Sequence, residues 1–355
     1  MTGINLTPDN VIQELQDFNS QLIKSYKTLQ HLQDVDVGQT AKEEVYREDK
    51  LRLYHYTPDG KRSCSTPILI TYALVNRPYM IDLEPERSLL RRLLEQGLDV
   101  YLVDWGYPDE ADRFLDLDDY INHYLNNCVD KVRTLSGQDK INLLGICQGG
   151  TFSLCYTALN PEKIKNLITM VTPVDFKTDD NLLSHLVQGI DIDLAVDTYG
   201  NIPGRMLNDT FNSLMPMRLG LQKNLSMPTQ LKDEETALSF LRMEKWIYDS
   251  PDQAGAAFQQ FIKQFFQQNK LIKAEAEIGD KRVDLKAIKQ PILNIFGAFD
   301  HMVPPSASRA LAQHTESGDY SEIEIEGGHI GVFVSGKSQK TVAPCISDWL
   351  IQRDK

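Results

Sequence analysis

The sequence predicts an α/β fold, a mostly parallel sheet flanked by helices with an inserted, mainly helical cap. Three observations carry that prediction. Short continuous apolar runs such as PILITYAL (67–74), DVYLVDWG (99–106), KINLLGI (140–146) and NLITMVTPV (166–174) alternate with helical stretches, the pattern of repeated βαβ units. Glycines bracket a cysteine in Gly145-Ile146-Cys147-Gln148-Gly149, directly after one of these runs. The alternation lapses from about 178 to 286 and then resumes.

Taken in order, residues 8–34 read as one amphipathic helix. Thr7 and Pro8 supply an N-cap and first helical residue, and Val11, Leu15, Phe18, Leu22, Tyr26 and Leu29 recur at three- and four-residue steps. Strands begin near 45, where LRLYHYTP alternates. Helices are expected around 86–96, near 118–135 and over 148–159, each between two apolar runs. Within the lapse, Gly200-Asn201-Ile202-Pro203-Gly204 and Met227-Pro228 are breakers. The aromatic pieces FLRMEKWIYDS and AAFQQFIKQFFQQ lie in the same stretch; packing within the cap is the plainer reading of both, with the lining of a product path or an outward-facing apolar surface as the alternative. The sheet resumes with QPILNIFGAFD (290–300) and YSEIEIEGGH (320–329), followed by a helix near 340–352. The expected domains are an N-terminal helical segment (1–40), a catalytic core (41–177 and 287–355) and the cap (178–286).

Composition bounds the function. The chain has 355 residues, 41% hydrophobic and 25% charged, which suits a globular protein with a sizeable core. A net charge of −13 argues against a nucleic-acid partner, since phosphate binding needs a basic face. No basic-then-apolar leader opens the sequence, and no apolar run reaches the roughly 18 residues of a membrane span. The five cysteines, Cys64, Cys128, Cys147, Cys155 and Cys345, are odd in number and contain no CxxC pair. Neither a zinc site nor a disulfide framework is expected, and the chain reads as a reduced, cytoplasmic protein.

The glycine spacing at 145–149 is that of the nucleophile elbow of the α/β-hydrolase fold, with cysteine where serine is usual. In that fold the partners follow in the order nucleophile, acid, histidine. Asp300 ends the run ILNIFGAF, and His329 follows EIEIE between glycines. Both stand at the carboxyl edge of the sheet, which makes Cys147, Asp300 and His329 the candidate catalytic residues. A lone aspartate or histidine in such places is usually structural; their joint occurrence carries the case. The backbone N–H of Gln148 and of Val75, in the loop after 67–74, are the candidate oxyanion donors. Arg77, Lys177 and Lys245 are cations available to an anionic substrate, though each reads more readily as an ordinary surface charge.

A thiol suits acyl relay. If the donor is itself a thioester, exchange onto cysteine is nearly balanced and the acyl group stays activated, so that attack by a hydroxyl runs downhill to an oxoester. His329 raises the thiolate fraction. Asp300 either orients His329 or serves as base toward the attacking hydroxyl.

Several longer stretches carry a resemblance. GICQGG (145–150), YALVNRPYM (72–80), DVYLVDWGYPD (99–109), VTPVDFK (171–177), NIPG (201–204), FLRMEKWIYDSPDQAG (240–255), DHMVPP (300–305) and GGHIGVFVSGK (327–337) resemble the catalytic subunit of class III poly(3-hydroxyalkanoate) synthases. The resemblance runs over nearly the whole chain. It implies an acyltransferase that polymerises (R)-3-hydroxyacyl-CoA, with 3-hydroxybutyryl-CoA the expected monomer, and releases coenzyme A through a covalent Cys147 thioester. The family's nucleophile, aspartate and histidine fall on Cys147, Asp300 and His329. No cofactor is implied. Partners are a second, different subunit and the surface of polyester granules, and a homodimer is a candidate assembly. The competing readings are a cysteine-triad hydrolase, either dienelactone-hydrolase-like or a thioesterase, and a catalytically silent granule scaffold. The cap and the long motifs count against the first, and the complete set of three residues against the second.

Overall fold

The structure is a computed structural model that describes residues 8–31, 35–217 and 222–354. Among these an eight-stranded sheet is formed by β1 (Glu43–Glu48), β2 (Leu51–Tyr56), β3 (Ile68–Thr71), β4 (Val100–Asp104), β5 (Ile141–Ile146), β6 (Ile164–Met170), β7 (Ile292–Gly297) and β8 (Tyr320–Ile325), in the order β1-β2-β4-β3-β5-β6-β7-β8. β3 to β8 pair in parallel, while β2 is antiparallel to β4 and β1 to β2. The inner strands β3, β4, β5 and β7 are buried at every residue, because helices cover both faces. The edge strands are charged instead: β1 reads EEVYRE, and β8 carries Glu322 and Glu324. Charge on an edge discourages pairing with another chain.

The longer helices outside the long insertion are α1 (Pro8–His31), α2 (Leu89–Glu95), α3 (Asn126–Ser136), α4 (Gln148–Leu159) and, at the far end of the chain, a helix over Gly336–Ile351. One core layer joins α3 and α4 to the sheet through residues such as Val129, Val132, Phe152 and Tyr156. The opposite layer holds Leu90 and Leu93 of α2 with Ile346 and Trp349 of the last helix. Several elements are shorter than their apolar runs. β4 stops at Asp104, whose Oδ1 accepts from Gly106 N at 3.0 Å, and Gly106 has φ 78°; this turn ends the strand. The helix expected near 118–135 enters through a π-helical stretch, Asp119–Leu125.

Between β6 and β7 lie α5 (Leu182–Val187), α6 (Ile192–Tyr199), α7 (Gly204–Leu214), α8 (Lys223–Gln230), α9 (Glu234–Tyr248) and α10 (Gly255–Phe261). A hairpin, Ala276–Ile278 with Lys281–Val283, follows them; its three-residue strands are too short for periodicity to show. Pro228 sits inside α8 rather than breaking it. An aromatic cluster ties the insertion to the core. Phe176 stands 4.9 Å from Phe266 and 5.6 Å from Phe265, and Phe152 of α4 lies 5.9 Å from Phe261. Truncating a buried phenylalanine of this kind to alanine costs about 3–5 kcal/mol.

α1 leaves part of its apolar stripe exposed. Leu15 is 58% and Phe18 40% exposed, so this part of the stripe is not buried. The side chains of Val11, Leu22, Tyr26 and Leu29, and residue Thr7, lie outside the described residues. α1 is tied to α8 by Ser25 Oγ, which donates to Pro228 O at 3.0 Å.

Candidate active site

Cys147 lies between the last residue of β5 and the first of α4. Its backbone has φ 54° and ψ −124°, a conformation strained for any side chain but glycine. The flanking glycines are required by close packing. A Cβ on Gly149 would stand 2.4 Å from Thr71 O, and one on Gly145 would stand 2.5 Å from Gly150 Cα. The elbow is therefore pressed between β3 and its own helix, and Cys147 N donates to Met170 O of β6 at 2.9 Å.

Asp300 follows β7, and its Oδ1 accepts from Met302 N and Val303 N, each at 2.9 Å. That leaves Oδ2 to accept from His329 Nδ1 at 2.7 Å. His329 follows β8 on a loop held to the aspartate's loop by Phe299 N donating to Gly327 O at 3.0 Å. Cys147 shares the cavity wall with His329 and helps to hold its pKa up. The structure thus brings the three sequence-predicted residues together. Burial alone would depress the His329 pKa, but its interactions with Asp300 and Cys147 outweigh it and hold the pKa well above 6.5.

The two predicted oxyanion donors are close by. Val75 and Gln148 both line the same cavity as Cys147. Gln148 begins α4, and no acceptor among the described residues takes the backbone N–H of either. A feature the sequence did not signal is that Gln148 Oε1 accepts from Leu74 N at 2.9 Å, joining the loop after β3 to the elbow.

The cavity itself encloses about 1200 Å³. Cys147 and His329 lie on its wall with Phe240, Met243, Trp246 and Phe258 of the insertion. The aromatic pieces thus serve packing and cavity wall together. Asp300 does not line it; its side chain is 0% exposed.

Three of the other histidines pair away from this site. His55 pairs with Asp99, His123 with Glu48 and His185 with the carbonyl of Asp179. His301 lines the cavity beside Met302. Cys64 and Cys155 are buried thiols pushed up to about 12, and burial raises that of Cys128 as well. Arg77 is committed to Asp104 at 2.7 Å and lies over the Tyr107 ring, while Lys245 donates to Val35 O. Neither these two nor Lys177 lines the cavity. Among the described residues the cations that do are Arg87, Lys223 and Arg242, each held by a glutamate, Glu84 for the arginines and Glu244 for the lysine. Nothing in their sequence context distinguished them from surface charges. Among the described residues no group of three His, Cys, Asp or Glu is placed to hold a metal ion.

Comparison with known proteins places the chain in a family. A family model described as alpha/beta hydrolase fold matches residues 66–335, and one described as the N-terminus of poly-beta-hydroxybutyrate polymerase (PhaC) matches 4–93. The poly(3-hydroxyalkanoate) polymerase subunit PhaC of Allochromatium vinosum is 56% identical, over 99% of this chain and 100% of that one. The chain belongs to the poly(3-hydroxyalkanoate) polymerase family. The PhaC subunit of Thiocystis violacea is 53% identical, again over 99% of this chain and 100% of its own. Monoglyceride lipase of Saccharomyces cerevisiae superposes with a TM-score of 0.54 over 90% of this chain and 97% of its own, at 12% identity. That likeness is one of fold: this polymerase-family chain is built on the α/β-hydrolase scaffold. Among its described residues no helix is long and apolar enough to cross a membrane.

Proposed function

We propose that the chain polymerises (R)-3-hydroxyacyl-CoA, with 3-hydroxybutyryl-CoA as the monomer, through a covalent thioester on Cys147. The observation that carries this reading is the strained cysteine on a cavity wall that it shares with a histidine, itself held by a buried aspartate. The raised pKa of His329 favours the imidazolium–thiolate pair. The thiolate attacks the thioester carbonyl, and the N–H groups of Gln148 and Val75 receive the charge on oxygen. The C–S bond to coenzyme A breaks, and the departing thiolate takes the proton from His329. Neutral His329 then removes the proton of a 3-hydroxyl as that oxygen attacks the Cys147 thioester. An ester forms, the Cys147 thiolate is released, and the imidazolium is restored.

The burial of Asp300 favours a role through His329 over direct contact with the substrate hydroxyl. The 178–286 segment acts as a cap over the site in this reading, with 41–177 and 287–355 as the catalytic core. A second subunit and the polyester granule surface are the proposed partners.

The test is coenzyme A release from 3-hydroxybutyryl-CoA by wild type and Cys147→Ala, with and without the partner subunit, and with the product analysed. Polymer that depends on Cys147 and forms faster with the partner is expected. Free hydroxybutyrate alone would overturn the reading in favour of a hydrolase.

A further inference from the structure

Gln253 belongs to the motif SPDQAG, and the mechanism above leaves it unused. It is 3% exposed and donates through Nε2 to two carbonyls, Leu74 O at 3.1 Å and Pro251 O at 3.0 Å. Its backbone is equally fixed. Gln253 N donates to Ile202 O at 2.8 Å and Ile202 N to Gln253 O at 2.9 Å, an isolated antiparallel bridge between two parts of the insertion. Asp252 accepts from Gly204 N at 2.9 Å and Asn201 from Gly255 N at 3.2 Å. The side chain therefore starts from an immobilised backbone.

The acceptor is what gives this contact its meaning. The carbonyl of Leu74 and the N–H of Val75 are the two ends of one peptide group. There are no cis peptide bonds in the described chain, and in a planar trans peptide the C=O and N–H point in opposite directions. A donor that holds Leu74 O on one side thereby aims Val75 N–H toward the other. The preceding peptide is pinned as well, since Leu74 N donates to Gln148 Oε1 at 2.9 Å. Leu74 is thus clamped from the elbow at its N–H and from the insertion at its C=O, and Val75, on the cavity wall with Cys147, carries the next N–H.

We infer that Gln253 is a positioning residue for the reaction: it sets the orientation of the Leu74–Val75 peptide and with it the oxyanion donor of Val75. This rests on the proposed role of Val75 N–H in the acyl transfer from Cys147. It makes the insertion part of the catalytic geometry, because one of its side chains aims a group of the core.

The experiment compares wild type, Gln253→Met, Gln253→Glu and Cys147→Ala in coenzyme A release from 3-hydroxybutyryl-CoA, alongside alkylation of Cys147 by iodoacetamide. Alkylation displaces iodide at a saturated carbon, so it needs the thiolate but no oxyanion donor. Methionine keeps the length of glutamine without the donor. Removing an oxyanion donor outright lowers kcat by about 10²–10³; a donor left in place but free to turn is expected to lower it by about 10–100-fold. KM and the alkylation rate should stay near wild type. In Gln253→Glu the ionised carboxylate cannot donate to Leu74 O, and kcat relative to wild type should recover as the pH is lowered and the buried acid protonates. This second variant serves also if the methionine variant fails to fold. A kcat for Gln253→Met within about twofold of wild type, or a parallel fall in alkylation, overturns the inference while an inactive Cys147→Ala leaves the acyl-transfer reading intact. An active Cys147→Ala overturns both.

Discussion

Replacing Asp300 by asparagine separates the two halves of the proposed reaction. Oδ1 accepts from two loop N–H groups, at 2.9 Å each, so the single carbonyl oxygen of asparagine must occupy that position. Its NH₂ then faces Nδ1 of His329, where Oδ2 now stands at 2.7 Å. Nδ1 has to become an acceptor, the proton moves to Nε2, and the lone pair directed at Cys147 is lost. The two nucleophiles feel this differently. A thiol supplies some thiolate near neutral pH without a base, so losing its base slows acylation by about tenfold at most. A hydroxyl has no such reserve, and loss of general-base help costs about 10²–10⁴ in rate, or about 3–5.5 kcal/mol. Rapid-quench measurement of coenzyme A release should therefore show a first equivalent released within about tenfold of the wild-type rate, followed by a steady state slowed by at least about 10². Equal slowing of both phases, or wild-type turnover by a folded variant, would refute the reasoning.

Cys147→Ser should retain the elbow but form an oxoester no richer than the product, so an acyl-enzyme accumulates in mass spectra while turnover falls by at least about 10². Gly149→Ala places a methyl 2.4 Å from the backbone oxygen of Thr71, and a steric conflict with backbone in the core should cost about 4 kcal/mol or more, read as a lowered Tm and loss of Cys147 alkylation. The His329 pKa is held up by Asp300 and Cys147, so NMR titration should show it falling in Cys147→Ala and in Asp300→Asn. Because the folded-state pKa is raised, the stabilisation is complete below the unfolded value near 6.5 and is lost as the pH rises through the folded value. The Tm gap between wild type and Asp300→Asn should accordingly be wider at pH 6 than at pH 9.

The site was legible where one local rule acts on adjacent residues. β5, the glycines and α4 follow one another without a break, and Gly145 and Gly149 are there because backbone passes within contact distance of each. Asp300 and His329 could be placed because each follows an apolar or alternating run and the chain order is fixed by the sheet. Contacts between distant segments carried no such signal. The Gln148 side chain reaches a residue 74 positions away, and the bridge from Ile202 to Gln253 joins pieces that share no periodicity. The hairpin at 276–283 is too short to alternate visibly, and Leu15 and Phe18 obey a helical period yet remain exposed. Periodicity reports which residues share a face; it does not report whether anything covers that face.

A hydrolase scaffold can make polyester only if the acyl-cysteine meets a hydroxyl before it meets water. The elbow, the histidine and the N–H donors do not distinguish the two, since each serves any oxygen nucleophile equally. Discrimination must come from what occupies the space beside Cys147. In this chain the insertion contributes Phe240, Met243, Trp246 and Phe258 to the wall of the cavity that holds Cys147, apolar groups that offer water no partner, and in the proposed reaction they flank the organic hydroxyl that serves as nucleophile. Proximity then favours transfer over hydrolysis, because a held hydroxyl reacts at a high effective concentration. The same segment, through Gln253, reaches the backbone beside the thioester carbonyl. On this reading, shortening a wall residue such as Phe258 raises the share of free hydroxy acid in the product, whereas substituting Gln253 slows both outcomes together. Wall and aiming device lie in one insertion, yet they are separable by what they change: the first the identity of the nucleophile, the second the stability of the oxyanion.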